Sequence, residues 1–191
     1  MNEEARKNRL YTSYHDNGQK KLEGNYKDGK KDGIWYKWDK NALKLEEGNY
    51  KQGKKDGRHI EWNEKGKKLN EVSYLFGKAI GKVTSWHDNG QMMQELTCKN
   101  GKEDGRWTVW YENGKKEEEA YYKDGRKDGK WSQWYKNGNK KEEGYYKDDR
   151  KEGKWNEWHN DGSIVEQNWK NDEKDGRWTV WYENGNKDEE R

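Results

Sequence analysis

Residues 105–125 read GRWTVWYENG followed by KKEEEAYYKDG, two short segments of strand composition in which aromatic and β-branched side chains are interleaved with small or charged ones. Runs of this length and kind predict β-strands packed on at least one face. Asn113-Gly114 joins the two segments. That pair favours a two-residue type I′ turn, whose central residues both need positive φ. The prediction is a β-hairpin, and a two-residue turn fixes its register: Trp110 faces Glu117 and Trp107 faces Ala120. The stretch 125–129, Gly-Arg-Lys-Asp-Gly, then returns the chain to the next hairpin.

The same pattern recurs along the whole chain. Gly33, Gly57, Gly81, Gly105, Gly129 and Gly153 are spaced by 24 residues, and Gly176 follows after 23. A second series runs Gly18, Gly66, Gly90, Gly114, Gly138, Gly162 and Gly185, with Ala42 as its exception; a third runs Gly29, Gly53, Gly77, Gly101 and Gly125, then lapses to Asp149. A fixed period of this length is the signature of a repeat architecture. The predicted fold is all-β: an elongated single-layer antiparallel sheet of tandem β-hairpins, about 7 to 8 repeats of 24 residues. We expect one repeat domain over 1–191, with repeats at 9–185 between charged tails at 1–8 and 186–191.

The hairpin register makes a check possible within the sequence. Trp35 faces Gly48, His59 faces Val72, Val83 faces Leu96, and Trp131 faces Gly144. A full indole meets Gly or Ala, and a smaller side chain meets a larger partner, as packed neighbours of fixed total volume require. The other face carries one aromatic per unit: Tyr14, Trp38, Trp62, Trp86, Trp110, Trp134, Trp158 and Trp181. Opposite them in this register lie Leu45, Leu69, Met93 and Val165, but also Lys21, Glu117 and Lys141, so the column is expected to be partly wet. Tyr26, Tyr50, Tyr74, Cys98, Tyr122, Tyr146 and Trp169 form a further series on the Gly/Ala face. Cys98 is therefore expected to be a small apolar side chain in a Tyr slot.

Composition sharpens this picture. Only 27% of residues are apolar and 41% are charged, values that approach those of disordered chains, yet 13 Trp and 13 Tyr contradict that class. Apolar area concentrated in a few large rings suits a thin sheet. Twenty-two Gly and no Pro leave the turns to Gly and Asn chemistry. A net charge of +3 gives no footprint for nucleic acid. One cysteine excludes a disulfide framework. The start, MNEEARKNRLY, lacks an apolar stretch and no run of 18 apolar residues occurs. We therefore expect a cytoplasmic chain, or an exported one if a signal peptide was removed.

The recurring YKDGKKDGxWxxWYENGxKxEEGxY, almost whole at 26–50 and 122–146, resembles the MORN repeat (membrane occupation and recognition nexus). More closely it is similar to the bacterial MORN variant often described as the antitoxin component of toxin-antitoxin or immunity systems. The resemblance covers 9–191. It implies consecutive β-hairpins in an extended sheet and a scaffold or partner-binding role without enzymatic activity or cofactors. The implied partner is another protein, and in the antitoxin type a cognate toxin. The units around 59–98, with Leu75, Phe76, Ile80, Met92 and Met93, depart most from the pattern, as either a specialised patch or plain packing variation.

No catalytic or metal site is expected. His15, His87 and His159 occupy one repeat position 72 residues apart, about 29 Å at the usual strand spacing, too far to share an ion. Glu117, Glu118, Glu119, Glu142 and Glu143 read as a solvated strand face cross-paired with lysines. No glycine is followed by a helix that would make a phosphate loop. The candidate partner-binding residues are Trp38, Trp62, Trp86, Trp110, Trp134 and Trp158, rigid anchors of the type that dominate protein interfaces. An alternative is an anionic lipid surface met by the basic turns at Lys30, Lys31, Lys54, Lys55, Arg126, Lys127, Arg150 and Lys151, although Asp residues in each turn cancel much of that attraction. A second alternative is a cell-wall glycan stacked on the aromatic ladder. Exposed sheet edges also invite self-association.

Overall fold

The computed structural model describes residues 8–190, with Glu189 and Glu190 described in backbone only. Among these residues there is no helix, and 17 strands form an open antiparallel sheet of tandem hairpins. In chain order the strands begin β1 (Arg9–Tyr14), β2 (Lys20–Lys27), β3 (Lys30–Trp38), β4 (Lys44–Lys51), β5 (Lys54–Trp62), β6 (Lys68–Leu75), β7 (Lys78–Trp86) and β8 (Met92–Lys99). They continue as β9 (Lys102–Trp110), β10 (Lys116–Lys123), β11 (Arg126–Lys127), β12 (Gly129–Trp134), β13 (Lys140–Lys147), β14 (Arg150–Trp158), β15 (Ile164–Lys170), β16 (Glu173–Trp181) and β17 (Lys187–Glu190). The last strand, which pairs with β16, falls in the charged C-terminal segment; most of the N-terminal segment 1–8 lies outside the described residues. The chain divides into two compact units, one of residues up to Met92 with Cys98–Lys102, the other of Met93–Thr97 with the residues from Glu103 on.

In both units the mid-strand register is the one the sequence predicts. Trp35 pairs with Gly48 and His59 with Val72 in the first unit; Trp107 pairs with Ala120 and Trp131 with Gly144 in the second. The turns differ from prediction. At Asn113-Gly114 only Gly114 has positive φ, the Gly114 amide donates to the Tyr111 carbonyl, and the Tyr111 amide donates to the Lys115 carbonyl. This is a three-residue loop, a type I turn closed by a left-handed glycine. It places Trp110 opposite Lys116, and a bulge at Glu117 restores the register so that Val109 meets Glu118. The predicted Trp110–Glu117 pair is thus incorrect, because the loop holds one residue more than a type I′ turn and the bulge absorbs the difference. The same bulge expels Lys21, Leu45, Leu69 and Lys141, and brings Lys20, Lys44, Lys68 and Lys140 opposite the ring. Hairpin β14–β15, one residue shorter, has no bulge: Trp158 pairs with Ile164, not Val165.

The two-residue turns with paired positive φ lie between the hairpins. Asp28-Gly29, Gln52-Gly53, Phe76-Gly77, Asn100-Gly101 and Asp124-Gly125 all have both residues left-handed, as do Asp148-Asp149 and Asn171-Asp172. From the second of these turns on, each docks toward the turn before it through a backbone bond, for example Gly53 N–H to the Lys31 carbonyl at 2.8 Å and Gly125 N–H to the Glu103 carbonyl at 2.8 Å. Asp149 holds its left-handed position with a compensating bond, its Oδ1 accepting from the Lys127 amide at 2.7 Å.

Glycine in mid-strand has a different task. An added Cβ at Gly24 would lie 2.3 Å from the Trp35 ring, at Gly48 2.0 Å from His59 Nδ1, and at Gly144 2.2 Å from the Trp155 ring. Each ring therefore lies on the glycine of the preceding hairpin. The volume compensation inferred across the hairpin turn operates most tightly across the strand on the other side. In the second unit Ala120, Trp131 and Trp155 form the buried core, with Trp107, Tyr122, Tyr146 and Trp169 packed around it.

Candidate functional site

One face of each unit is a closed aromatic ladder capped by lysines. In the first unit Tyr26 stands edge-on to Trp35 at 5.0 Å, and His59 lies between Tyr50 at 5.1 Å and Tyr74 at 5.0 Å. In the second, Trp155 meets Trp131 at 5.4 Å and Tyr146 edge-on at 5.1 Å. Four of the candidate basic residues are folded onto these rings. Lys31 Nζ lies 4.2 Å from the Trp35 centroid, Lys55 5.0 Å from Tyr74, Lys127 5.1 Å from Tyr146, and Lys151 3.9 Å from Trp155. The other four, Lys30, Lys54, Arg126 and Arg150, are exposed at the turns, where Arg126 is 3.7 Å from Asp148. Sequence spacing alone could not separate the two sets; strand alternation sends every second one inward.

The electrostatics of this face follow from burial. Burial pushes the Tyr122 and Tyr146 phenols up to about 12, helped by Glu118 and Glu142. Burial also pushes Lys31 and His59 below their ordinary values. Cys98 is buried.

The opposite face carries the six candidate tryptophans. Trp38, Trp62, Trp86, Trp110, Trp134 and Trp158 are all half-buried, and the lysines brought opposite by the bulge reach to the ring of the next repeat. Lys44 lies over Trp62 at 5.6 Å, Lys68 over Trp86, Lys116 over Trp134 and Lys140 over Trp158, each at 5.5 Å. Each of these lysines also pairs with the glutamate three residues on, as Lys44 does with Glu47 at 2.8 Å and Lys140 with Glu143 at 2.5 Å. The ladder is thus partly shielded by its own cations. Glu119 shows the balance: burial raises its carboxyl, but hydrogen bonds from Lys116 and Arg106 outweigh that and hold it below the usual range. Glu118, Glu119, Glu142 and Glu143 are cross-paired with lysine or arginine, whereas Glu117 is displaced from the register by the bulge; among the described residues no group of three or more His, Cys, Asp or Glu is arranged to hold a metal ion.

On this same face the second unit has a groove of about 680 Å³. Gly129, Gly144 and Gly153 line it, Tyr145 stands over it 56% exposed, and Tyr121, 40% exposed, adjoins Gly129. Its rim is charged but neutralised: Lys130 pairs with Glu143 at 3.3 Å and Lys147 with Asp128 at 2.6 Å. Lys130, Ser132 and Trp134 alternate along β12, so Trp134 shares the face that opens into the groove. Tyr121 and Tyr145 are absent from the sequence candidates. Their signal is that Asn25, Asn49, Ser73, Thr97 and Asn168 hold the same repeat position: only these two repeats put a ring where the others keep a small polar group.

In the first unit the divergent turn at Leu75-Phe76 is exposed, Leu75 by 48% and Phe76 by 59%, with Phe76 left-handed at φ 50°. A bulky side chain in that region is strained, and the other turns place Asp, Asn or Gln there.

A family model described as MORN repeat variant matches residues 10–28, 80–100, 103–124, 127–148 and 174–191, together just over half of the chain. None of the curated proteins matches it.

Proposed function

Because the chain belongs to the MORN repeat variant family, we propose that it is a non-enzymatic scaffold that binds another protein through the Tyr145 groove and the Trp134 face around it. MORN repeats serve in general as modules for binding proteins or membrane phospholipids and are not typically enzymatic. The observation that carries the protein reading is Tyr145: an exposed phenol over a glycine-lined groove, most of whose rim charges are already in ion pairs. A partner docking there covers a rigid aromatic without stripping water from unpaired ions, which is how interface centres gain affinity. An antitoxin or immunity role in a bacterium, with a cognate toxin as partner, is the specific form of this reading and rests on the resemblance of the repeat alone.

The test is recovery of a partner from the native host by the intact chain and by Tyr145→Ala, a change at an exposed position that leaves the fold in place. A defined protein bound by the first and lost by the second supports the reading. The same protein recovered equally by both, or polysaccharide in its place, defeats it.

The Leu75-Phe76 turn favours a second reading, a membrane surface. An apolar pair held at a turn tip against backbone strain, beside Lys54 and Lys78, suits shallow insertion below headgroups. Sedimentation with anionic vesicles, abolished by Leu75→Ser/Phe76→Ser, would favour it; no sedimentation at low salt would remove it.

A further inference from the structure

Two consecutive repeats place a ring where the others keep Asn, Ser or Thr, and the fold leaves both rings uncommitted. Among the described residues neither Tyr121 nor Tyr145 is hydrogen-bonded through its hydroxyl, packed against another ring or covered by a cation. By contrast, the Tyr111 and Tyr135 hydroxyls donate to the Trp134 and Trp158 carbonyls at 2.7 and 2.9 Å, and Lys116 and Lys140 lie 5.5 Å from the Trp134 and Trp158 centroids. Tyr145 stands directly opposite Lys130 of β12, and the Tyr121 Cβ is 2.9 Å from where Gly129 would carry one. The two rings therefore rise from β10 and β13 on either side of β12, two strand spacings or about 9.6 Å apart. The ~3.5 Å thickness of an aromatic ring leaves a slot no wider than about 6 Å between them. Gly129 lies at its floor, within the groove that Tyr145 overlooks.

The surroundings narrow the form of the occupant, given that the groove is a protein-binding site. β12, β13 and β14 are interior strands, each hydrogen-bonded on both sides, so no open edge is offered to an incoming strand. An α-helix, about 10–12 Å across with its side chains, is too wide to lie between the rings. A polyproline II segment meets both limits. Its backbone needs no partner strand, and one turn of three residues advances about 9.3 Å, within a few tenths of an ångström of the ring spacing. Its pyrrolidines are apolar bodies that pack on phenol faces, and its free carbonyls accept from the two hydroxyls. The neutralised rim, Lys130 with Glu143 and Lys147 with Asp128, suits an uncharged stretch. The chain contains no proline, so a second copy cannot supply this ligand. We infer that the groove takes a proline-rich segment of the partner protein in the polyproline II form. The segment crosses β10, β12 and β13 with prolines three residues apart on Tyr121 and Tyr145.

The test is a titration of the intact ¹⁵N-labelled chain with decaproline, and with a Gly-Ser peptide of equal length and an alanine-rich helical peptide as rivals. The expected result is saturable binding of decaproline alone, with Kd on the order of 0.1–1 mM, and amide shifts centred on Gly129, Lys130 and Tyr145. Tyr121→Ala and Tyr145→Ala, both at exposed positions, should each weaken it roughly fivefold or more, the loss of an interface anchor. Tyr182→Ala removes a ring of similar exposure, 48%, outside the groove and should leave binding unchanged. No saturable binding of decaproline up to roughly 5 mM, equal or tighter binding of either rival, or affinity undiminished by both groove variants would overturn the assignment. If decaproline is ignored while Tyr145→Ala still releases the partner recovered from the native host, the polyproline assignment falls and the protein-binding site stands. If the host partner is also indifferent to Tyr145→Ala, both fall.

Discussion

Gly144→Ala isolates the contact on which the ladder is built. The added methyl would sit 2.2 Å from Trp155 Cδ2 and Cε2 and 2.6 Å from Cγ, more than 1 Å inside ordinary contact. Gly144 has no positive φ, so alanine brings no backbone strain and the cost is purely one of packing. Trp155 has little room to retreat, held by Trp131 at 5.4 Å, Tyr146 at 5.1 Å and Lys151 at 3.9 Å. Overpacking of this kind costs about 1–3 kcal/mol, and in a cooperative unit of about 100 residues each kcal/mol lowers Tm by roughly 4–8 °C. Ala120 under Trp131 shows that the fold can absorb one methyl when the ring is placed for it, which sets the lower end. The assay is urea unfolding followed by circular dichroism, on Gly144→Ala alone and in a Trp155→Val background. The cost should fall to within about 0.5 kcal/mol of zero when the indole is gone. An equal cost in both backgrounds, or none in either, would refute the account of glycine as a seat for the ring of the following hairpin.

Three further outcomes are expected. The folded chain resists the proton that His59 takes up near 6.5 when unfolded, because burial disfavours the charged ring between Tyr50 and Tyr74 despite Glu46 and Glu61 nearby. This contribution is full above about pH 6.5 and is lost as pH falls toward the lower folded value; His59→Phe should flatten the stability profile of the first unit between pH 7.5 and 5, measured by urea midpoints. Glu71, hydrogen-bonded by Arg58 first and Lys68 second, is held down to about 2. Its stabilisation is present above the ordinary carboxylate value and lost as pH drops toward 2, so Glu71→Gln should lower the urea midpoint at pH 7 and leave it unchanged near pH 2. Finally, Lys127→Ala should cost roughly 0.5–2 kcal/mol of stability by uncovering Trp131 and Tyr146, whereas Lys30→Ala, at an exposed turn, should stay within about 0.5 kcal/mol of neutral by the same urea midpoints; the reverse order would show that the lysines do not cap the rings.

The period, the hairpins and the mid-strand pairs such as Trp107 with Ala120 were legible in the sequence because strand register propagates from any fixed point and the aromatic spacing repeats. The turn types were not. Asn-Gly fits both a type I′ turn and a type I turn followed by a left-handed glycine, since glycine reports only that φ is positive somewhere; the two differ by one residue, which the bulge at Glu117 then hides. That single hidden residue decides whether Glu117 or Lys116 faces Trp110, and hence that the tryptophan column is covered by lysines. The one-residue deletion before Trp169 was visible, but its effect, a hairpin without a bulge and an indole without an acceptor, needs side chains in place. Tyr121 and Tyr145 could have been found by asking which repeats depart from a small polar residue at that position.

The central claim is the register of tandem hairpins with alternating turn types, and backbone nuclear Overhauser contacts test it most directly. The account predicts cross-strand contacts for Trp107 with Ala120, Trp110 with Lys116, Lys123 with Arg126 and Trp131 with Gly144. Contacts of Trp110 with Glu117, or pairing between strands that do not follow one another in the chain, would contradict it.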